Sequence, residues 1–344
     1  MALILKDITY KIQEFEIKST NLTIANGEYW IILGESGSGK TLLLDIIAGF
    51  RRPKNGSIYY KNKNIISIPI HKRKFAYVTS ENTLFPNLTV EKNLLFANKS
   101  TSEETKEIIN LFNISLLFKK YPNELSSGEK QKISLARAIL SKPEILLLDE
   151  PLSAVDVSAR YELILLLRQL HRKGFTIIHV THNINEALTL SEKVAIMFKG
   201  QIIQTGTISE ITKKPATPFV AKLTGIKNVY TSSYIDKNLY VTDNNVKIMV
   251  NTETNYPQAI IIISSTDIVL SKNIIKSSMQ NYFKGTVQDI IRFENNIDVI
   301  VNIGILIHAT ITTKSLQELN LQIGQEILVY FKASSVRVLP YAGY

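Results

Sequence analysis

The sequence predicts an α/β domain with a helical insertion, followed by a smaller domain of β-strands. In residues 1–226, short apolar segments alternate with segments whose apolar residues recur at helical spacing, and residues 84–142 are mainly helical in pattern. From residue 227 onward, short runs of Ile, Val and Thr are separated by turn residues, which is typical of a small barrel or sandwich. A stretch rich in Thr, Lys and Pro precedes this change, so we predict domains at 1–226 and 227–344.

The composition excludes several classes of protein. Of the 344 residues, 45% are hydrophobic and 20% are charged, which excludes a disordered or fibrous chain and suits roughly two domains. The absence of Cys excludes disulfides, thiolate metal ligands and a cysteine nucleophile. No apolar segment approaches the ~18 residues of a membrane span, and Lys6 and Asp7 interrupt the apolar start of the chain. We therefore expect a soluble protein inside the cell.

The net charge of +10 is concentrated in the first 230 residues. Residues 51–74 contain eight Lys or Arg and no acid. No aromatic stacking pattern accompanies this run, so a solvated face is favoured over a nucleic-acid stripe, and we expect no nucleic-acid partner. A surface that faces anionic lipid headgroups is the second possibility.

A phosphate-binding loop is predicted between a short apolar strand, residues 29–33, and a helix that begins near residue 41. The segment fits the pattern G-x-x-x-x-G-K-[ST] in full, with the residues Gly34, Glu35, Ser36, Gly37, Ser38, Gly39, Lys40 and Thr41. Glycines let successive backbone N–H groups turn inward and hold phosphates at the helix N-terminus. Lys40 reaches the β- and γ-phosphates, and the Thr41 hydroxyl coordinates Mg²⁺.

A second strand, residues 145–149, is apolar and ends in two carboxylates, Asp149 and Glu150. Asp149 is expected to hold Mg²⁺ through water, and Glu150 to orient or deprotonate the attacking water. The alternative is a strand that merges into a solvated helix N-terminus, where acids are also favourable. Beside a phosphate loop, the catalytic interpretation is the stronger one.

A helix is predicted to begin after Leu125, where Ser126 and Glu129 form a capping box. This segment, with Ser127 and Gly128, also resembles the signature sequence of ATP-binding-cassette (ABC) ATPases, usually Leu-Ser-Gly-Gly-Gln or Leu-Ser-Gly-Gly-Glu. It lies between the phosphate loop and the acidic strand, as in that family. Asp156 then matches the family's D-loop and His182 its switch histidine, so five motifs occur in the family's order.

The resemblance implies a P-loop NTPase fold of the ABC type with a helical subdomain at about 84–142. It also implies ATP and Mg²⁺ as cofactors, and a homodimer in which the signature of one subunit closes over the ATP of the other. In such a site His182 contacts the γ-phosphate and helps to position the attacking water. An aromatic residue before the phosphate loop stacks on adenine. Tyr10 and Phe15 are both candidates, and Tyr10 is preferred because it ends the first predicted strand, although either residue could belong to the core.

Two departures from the family pattern are visible. Ser80 stands where the family has a glutamine that touches Mg²⁺ and water and couples the site to the permease, and Glu81 is its neighbour. A serine is too short to span the same distance, so hydrolysis or coupling is expected to be weaker, unless Glu81 takes over the metal contact. Ser127 replaces the first glycine of the signature, which we expect to be tolerated.

The chain resembles importer ATPases with a C-terminal regulatory domain, and residues 86–90 and 331–336 resemble the molybdate/tungstate branch in particular. That branch carries an OB-like β-domain that binds oxyanions. The matching positions here are Ser278, Asn281, Lys332 and Ser334, with Gln280 in place of an arginine, which removes a charge-assisted donor. The alternative is that residues 332–336 are only the last strand of the barrel.

The expected function is that of the ATP-hydrolysing subunit of an ABC importer for molybdate, tungstate or a related oxyanion. Its implied partners are a second copy, permease subunits at the cytoplasmic face of the membrane and, indirectly, an extracytoplasmic solute-binding protein. A sulfate, iron, sugar or polyamine importer would share every motif of the first domain. A regulatory oxyanion-binding protein with weak ATPase activity would fit Ser80. A nucleic-acid-linked ABC ATPase would need a coiled-coil insertion or a second cassette, and neither is visible.

Overall fold

Strands form the centre of the first part of the chain. The computed structural model describes residues 2–81, 84–96, 98–252, 255–293 and 296–341. The chain divides into two compact units, Met1–Ser209 and Glu210–Tyr344. The strands of the first unit are β1 (Ala2–Ile12), β2 (Phe15–Ala25), β3 (Tyr29–Leu33), β4 (Asn55–Tyr60), β5 (Lys63–Asn64), β6 (Phe75–Thr79), β7 (Ile145–Asp149), β8 (Ile177–Thr181), β9 (Lys193–Phe198) and β10 (Gln201–Gly206).

Among the described residues of this unit, the strands form two sheets. An antiparallel sheet has the order β2-β1-β4-β5, and a larger sheet has the order β10-β9-β3-β8-β7-β6. The pairs β6–β7, β7–β8, β8–β3 and β3–β9 are parallel, and β10 joins β9 in an antiparallel pair. Strands β3 and β8 are buried at every position, as expected for a parallel sheet covered on both faces. The carboxyl ends of β3, β6, β7 and β8 therefore meet at one edge.

Helices cover this sheet and form the predicted insertion. The helices up to the division between units are α1 (Lys40–Ala48), α2 (Val90–Leu95), α3 (Ser102–Phe112), α4 (Ser127–Leu140), α5 (Val157–Arg172) and α6 (Ile184–Leu190), and α7 (Ile208–Lys213) spans the division. Short 3₁₀ turns lie at Ile70–Lys72, Ser115–Leu117 and Pro122–Glu124. Helices α2 to α4 all lie between β6 and β7, so the α/β fold with a helical insertion is confirmed. No helix among the described residues has the length and apolar character needed to cross a membrane.

The second unit is mainly β-structure. Its elements are α8 (Pro218–Leu223), β11 (Asn228–Asp236), β12 (Leu239–Thr242), β13 (Lys247–Met249), β14 (Gln258–Ile263), β15 (Val269–Ser271), β16 (Asn281–Arg292), β17 (Ile297–Asn302), β18 (Leu306–Ile311), α9 (Thr313–Leu319), β19 (Glu326–Phe331) and β20 (Val336–Pro340), with 3₁₀ turns at Ser265–Asp267 and Ala333–Ser335. In the described residues they form antiparallel sheets ordered β13-β12-β11-β14-β20 and β15-β19-β16-β17-β18. Residues of both sheets, among them Ile261 and Val329, share one apolar core.

The division between the units falls earlier than the boundary that the sequence predicts near Ile226. The Thr-, Lys- and Pro-rich composition of residues 207–228 predicts a hinge after the last helix of the first domain. Instead Pro218 occupies the first turn of α8, and Thr217 caps that helix by accepting a hydrogen bond from the Val220 amide at 3.2 Å. Ala221 of α8 is buried in a cluster with Val229 of β11, so this helix packs within the second unit.

Candidate nucleotide-binding site

The phosphate loop lies between β3 and α1, in the strand–loop–helix context that the sequence predicts. Only glycine fits at the first position of the loop, because a Cβ at Gly34 would lie 2.3 Å from the Met197 carbonyl oxygen. Gly39 caps α1 with φ 99°, in the left-handed region that glycine adopts readily. The loop backbone therefore turns tightly onto the N-terminus of α1.

Lys40 is the cation of this loop. Its side chain is buried, with 5% of the residue exposed, and Nζ donates hydrogen bonds to the carbonyl oxygens of Gly34 and Glu35, both at 2.9 Å. Burial lowers the pKa of Lys40, whereas the negative charges of Glu150 and Asp149 oppose that shift. The ammonium group is thus held among loop carbonyls, near the carboxylates of Asp149 at the end of β7 and of Glu150, the next residue.

Asp149 ends β7 and receives two hydroxyl donors. Thr41 Oγ1 donates to Asp149 Oδ1 at 2.9 Å, and the Tyr77 hydroxyl lies 3.2 Å from Asp149 Oδ2. Burial raises the pKa of Asp149, the hydrogen bonds from Thr41 and Tyr77 lower it, and the charges of Glu150 and Asp45 raise it again. On balance the pKa of Asp149 is raised, so a nearby cation would stabilise the ionised form of this carboxylate.

Glu150 follows Asp149 and contacts the histidine at the end of the next strand. His182 Nδ1 lies 3.1 Å from Glu150 Oε1, and both side chains are partly exposed. The Glu150 backbone is left-handed, with φ 46°, and its amide donates to the Val180 carbonyl oxygen at 2.9 Å. A non-glycine residue is strained in this conformation, and its contacts with the surrounding structure must offset the strain. Such strained residues are common at functional positions. The structure therefore brings together Glu150 and His182, as the resemblance implies.

Within the described part of the first unit, cavities of about 580, 500 and 820 Å³ adjoin the loop, a size that suits a small-molecule ligand. Phe15, at the start of β2, lines the first two, and its ring approaches Gly39, where a Cβ would lie 2.8 Å from Cζ. Tyr10 and Phe15 both pack against the core, but Tyr10 does not end β1, which runs to Ile12, and its hydroxyl accepts a 3.4 Å hydrogen bond from Arg51. The geometry favours Phe15 over Tyr10 as the candidate aromatic at the loop, because Phe15 lines two of the cavities and approaches Gly39.

Ser80 and Glu81 lie at the third cavity, beside Asp149. Both residues line the 820 Å³ cavity together with Thr41 and Asp149. The Ser80 amide donates to the Asp149 carbonyl oxygen at 3.1 Å, and the carbonyl of Glu81 accepts from the Thr79 hydroxyl at 2.8 Å. Ser80, which departs from the family pattern, and its neighbour Glu81 therefore border the same space as the candidate metal ligands.

The residues of the signature and the D-loop act as helix caps within one chain. Ser126 and Glu129 form the predicted capping box at α4: the Ser126 amide donates to Glu129 Oε2 at 2.7 Å, and the Glu129 amide to Ser126 Oγ at 3.2 Å. Ser127 is the first residue of α4, and a Cβ at Gly128 would lie 2.5 Å from that of Ala159 in α5. Asp156 caps α5 by accepting from the Ala159 amide at 2.9 Å.

The four residues matched to an oxyanion site in the second unit differ in exposure. Ser278, Lys332 and Ser334 are exposed. Asn281 is 2% exposed, and its carboxamide accepts from the Met249 amide and donates to the Met249 carbonyl oxygen, both at 2.8 Å. It thereby joins β16 to β13. This overturns the expectation that Asn281 offers an anion contact, because its side chain is buried and held in a sheet-edge pairing.

Sequence reasoning missed two residues that the fold brings to Asp149. The Tyr77 hydroxyl lies 3.1 Å from Asp45 Oδ1 as well as 3.2 Å from Asp149 Oδ2. Asp45 follows Thr41 by four positions on α1, so the two share a helix face, and this spacing could have marked it. Tyr77 precedes Thr79 by two positions on β6, so both point to the same side of the strand. No motif singled out this tyrosine.

Comparisons with known proteins agree with this geometry. The ABC transporter model matches residues 17–153, and the TOBE domain model matches residues 277–338. The chain is 35% identical to the molybdate/tungstate import ATP-binding protein WtpC of Pyrococcus horikoshii, over 97% of this chain and 99% of the relative. It is 37% identical to the spermidine/putrescine import ATP-binding protein PotA of Thermotoga maritima, over 67% of this chain and 66% of that protein.

Two solved structures resemble the first unit. One is the dimeric, post-hydrolysis state of the ATP-binding cassette MJ0796 with ADP and Pi, with a TM-score of 0.53 and 30% identity, covering 60% of this chain and 98% of the other. A nucleotide-free cassette from an ABC transporter, 24% identical, gives a TM-score of 0.55 over 65% and 98% of the two chains and supports the fold. With full-length relatives, a matching cassette and the loop and acidic strand in place, the chain belongs to the ABC transporter family, as the ATP-hydrolysing subunit of an importer.

Proposed function

We propose that this chain binds ATP with Mg²⁺ at the phosphate loop, hydrolyses it as a homodimer and so drives the import of molybdate, tungstate or a related oxyanion. The observation that carries the proposal is the convergence of Lys40, Thr41, Asp149, Glu150 and His182 at one edge of the parallel sheet. A phosphate cradle, a metal-binding carboxylate and a partnered base are the parts that phosphoryl transfer to water requires.

The residues at the loop fit a magnesium ion. Thr41 and Asp149 present a hydroxyl and a carboxylate 2.9 Å apart, and hard oxygen donors of this kind suit Mg²⁺. Among the described residues, no three His, Asp or Glu side chains are grouped to hold a metal by themselves, so the nucleotide phosphates would complete the ligand set. Bound there, Mg²⁺ supplies charge neutralisation at the β- and γ-phosphates.

In the proposed reaction the residues of this chain position water and receive its proton. Glu150 accepts the proton as the water oxygen bonds to the γ-phosphorus, and the bond from that phosphorus to the leaving ADP oxygen breaks. The 3.1 Å contact of His182 with Glu150 would orient that carboxylate, and the His182 imidazole would contact the γ-phosphate. Lys40 and the loop amides, at positions from Gly34 to Thr41, hold the phosphates, and Phe15 stacks on adenine in preference to Tyr10.

The assembly proposed is that of an importer. Ser126, Ser127, Gly128 and Glu129 of one protomer would close over the nucleotide of the other, and Asp156 would line the same interface. The dimeric state of the cassette MJ0796 supports this arrangement. Permease subunits would hold the dimer at the cytoplasmic face of the membrane, and a solute-binding protein would act indirectly from the other side.

The oxyanion is favoured as cargo because three molybdate/tungstate relatives, at 34–36% identity, cover 84–97% of this chain. Their similarity thus extends well into the second unit. A polyamine is the second candidate, since PotA proteins are 36–39% identical, although those alignments cover 62–79% of the chain. In the second unit, the exposed Ser278, Lys332 and Ser334 are the proposed oxyanion contacts.

Reconstitution tests this function. The chain is assembled in liposomes with candidate permease and solute-binding subunits of oxyanion and polyamine importers, and ATPase activity is measured with molybdate, tungstate, sulfate or spermidine at equal concentrations. Stimulation by molybdate or tungstate supports the proposal. Stimulation by spermidine alone would replace the oxyanion with a polyamine, and the absence of Mg²⁺-dependent turnover in every mixture would refute the ATPase assignment.

A further inference from the structure

The Tyr77 hydroxyl lies between two carboxylates. It is 3.1 Å from Asp45 Oδ1 and 3.2 Å from Asp149 Oδ2. Tyr77 projects from β6, which pairs in parallel with β7, and Asp45 lies on α1 one helical turn after Thr41. A bridge thus links the helix that follows the phosphate loop with the strand that ends in Asp149.

The two carboxylates of this bridge are not equivalent. Asp45 already has a cationic partner, because Arg51 Nε lies 3.0 Å from Asp45 Oδ2. For the Asp149 side chain, the hydroxyls of Thr41 and Tyr77 are the hydrogen-bond donors found among the described residues. A phenol has one hydrogen and donates to one acceptor at a time. Asp149 therefore depends on this hydroxyl more than Asp45 does.

The ring that carries the hydroxyl is itself held in place. Phe50 packs edge-on against Tyr77, with ring centroids 5.2 Å apart and an interplanar angle of 85°. The hydroxyl oxygen also lies 3.1 Å from Asp45 Oδ1, but its single hydrogen serves one of the two carboxylates at a time. The contact with Phe50 does not use the hydroxyl hydrogen, which therefore remains available to donate to Asp149.

We propose that Tyr77 is a positioning residue for the metal site, whose hydroxyl donates to Asp149 and holds that carboxylate in the orientation that binds the divalent ion. This rests on the proposed function. With Thr41 on Oδ1 and Tyr77 on Oδ2, the carboxylate cannot rotate without losing one of its two hydrogen bonds. Partners that orient a metal ligand are worth about 10–100-fold in metal affinity or activity.

The test measures metal binding directly, in the full chain. Mn²⁺ is titrated into protein that carries a non-hydrolysable ATP analogue, and free Mn²⁺ is followed by electron paramagnetic resonance. The variant is Tyr77→Phe, which keeps the ring and removes only the hydroxyl. The matched control is Tyr60→Phe, which removes a tyrosine hydroxyl bonded to another carboxylate, Glu144, in the same unit.

We expect Tyr77→Phe to raise the Kd of Mn²⁺ about 10-fold, to leave the affinity for the metal-free nucleotide unchanged and to raise the Mg²⁺ concentration for half-maximal turnover in parallel. Tyr60→Phe should match the wild type in all three. Wild-type Mn²⁺ affinity in Tyr77→Phe, or an equal loss in Tyr60→Phe, would overturn the positioning role while leaving the ATPase assignment intact. Failure of the wild type to take up Mn²⁺ with nucleotide would overturn the metal site and the role of Tyr77 together.

Discussion

His182 Nδ1 lies 3.1 Å from Glu150 Oε1, although 32 positions separate the two residues in the chain. They meet because Glu150 follows β7 and His182 follows β8, and these strands are parallel neighbours. Parallel strands bring their carboxyl ends to the same edge of the sheet, where ligands of α/β proteins commonly bind. The contact explains how the last acid of one motif and the histidine of another form one unit of the proposed site.

Glu150→Gln should abolish most ATP turnover and leave ATP binding intact. The amide keeps the shape of the side chain and loses the basic oxygen, and a general base typically contributes ~10²–10⁴-fold. We expect an ATP-bound dimer to accumulate, measurable by size-exclusion chromatography with ATP and Mg²⁺. The control is Glu144→Gln, which changes a carboxylate immediately before β7 rather than after it. Wild-type turnover in Glu150→Gln would remove this residue from the catalytic role.

Lys40→Ala should act at binding. Lys40 supplies the side-chain cation of the loop, whereas backbone amides supply the rest of the cradle. The substitution also removes the two hydrogen bonds that Nζ donates to loop carbonyls, so the loop loses an internal restraint. We expect weaker ATP binding by isothermal titration calorimetry and no turnover. Unchanged affinity together with unchanged turnover would contradict the role.

Ser80→Gln should raise ATPase activity, and Glu81→Ala should lower it if Glu81 has taken over the metal contact. Both positions line the cavity beside Thr41 and Asp149, and a carboxylate is a better ligand for Mg²⁺ than an amide. Turnover is measured on the isolated dimer and again with the permease. If neither change affects turnover or coupling, this loop is not where the site departs from its relatives.

Phe15→Ala should weaken the binding of ATP and spare the binding of inorganic triphosphate. Stacking of an aromatic ring on a base is worth about 1–3 kcal/mol, and triphosphate has no base to stack. Tyr10→Ala is the comparison, and it should lower thermal stability more than nucleotide affinity because Tyr10 packs against the core. Calorimetric titration of both ligands checks the result. The reverse pattern would restore Tyr10 as the adenine contact.

Glu28→Gln should destabilise the first unit at neutral pH and have little effect in acid. Burial alone would raise the pKa of Glu28, but hydrogen bonds from Lys193, Trp30 and the Ala25 amide lower it on balance below its ordinary value of 4.5. A carboxylate with a lowered folded pKa stabilises the protein above its unfolded pKa, and this contribution is lost as the pH falls through the folded value. Thermal melts from pH 3 to pH 8 should show a loss of about 1 kcal/mol at pH 7 that shrinks below pH 4.5. A loss that stays constant across this range would contradict the assignment.

Much of the fold and of the site was predictable from local sequence. The loop from Gly34 to Thr41, the acidic end of β7 and the capping box of Ser126 and Glu129 all rest on residue types at short, fixed spacings. Such patterns can be recognised in a sequence because the backbone geometry that they require is local: a glycine turn, a buried strand or a helix N-terminus. The change from helical to strand patterning likewise predicted a β-rich second unit.

Tertiary structure alone decided which long-range partners these residues have. The sequence favoured Tyr10 over Phe15 because Tyr10 was predicted to end the first strand, but β1 runs to Ile12, and Phe15 begins β2 and lines a cavity at the loop. The basic run was expected to be solvated, yet Arg73 is buried and donates to main-chain carbonyls that include those of Ile46 and Ile47 near the end of α1. The type and position of a charged or hydroxyl-bearing residue in the sequence do not show which distant segment packs against it.

The clearest case is the bridge from Asp45 through Tyr77 to Asp149. Its residues come from a helix and two strands, and 72 positions separate Tyr77 from Asp149. The sequence by itself determined that a nucleotide loop and an acidic strand exist, because each is encoded within a few consecutive residues. The pairing of β6 with β7 decided which hydroxyl stands beside the second oxygen of Asp149, since only packing in three dimensions brings distant side chains within hydrogen-bond distance.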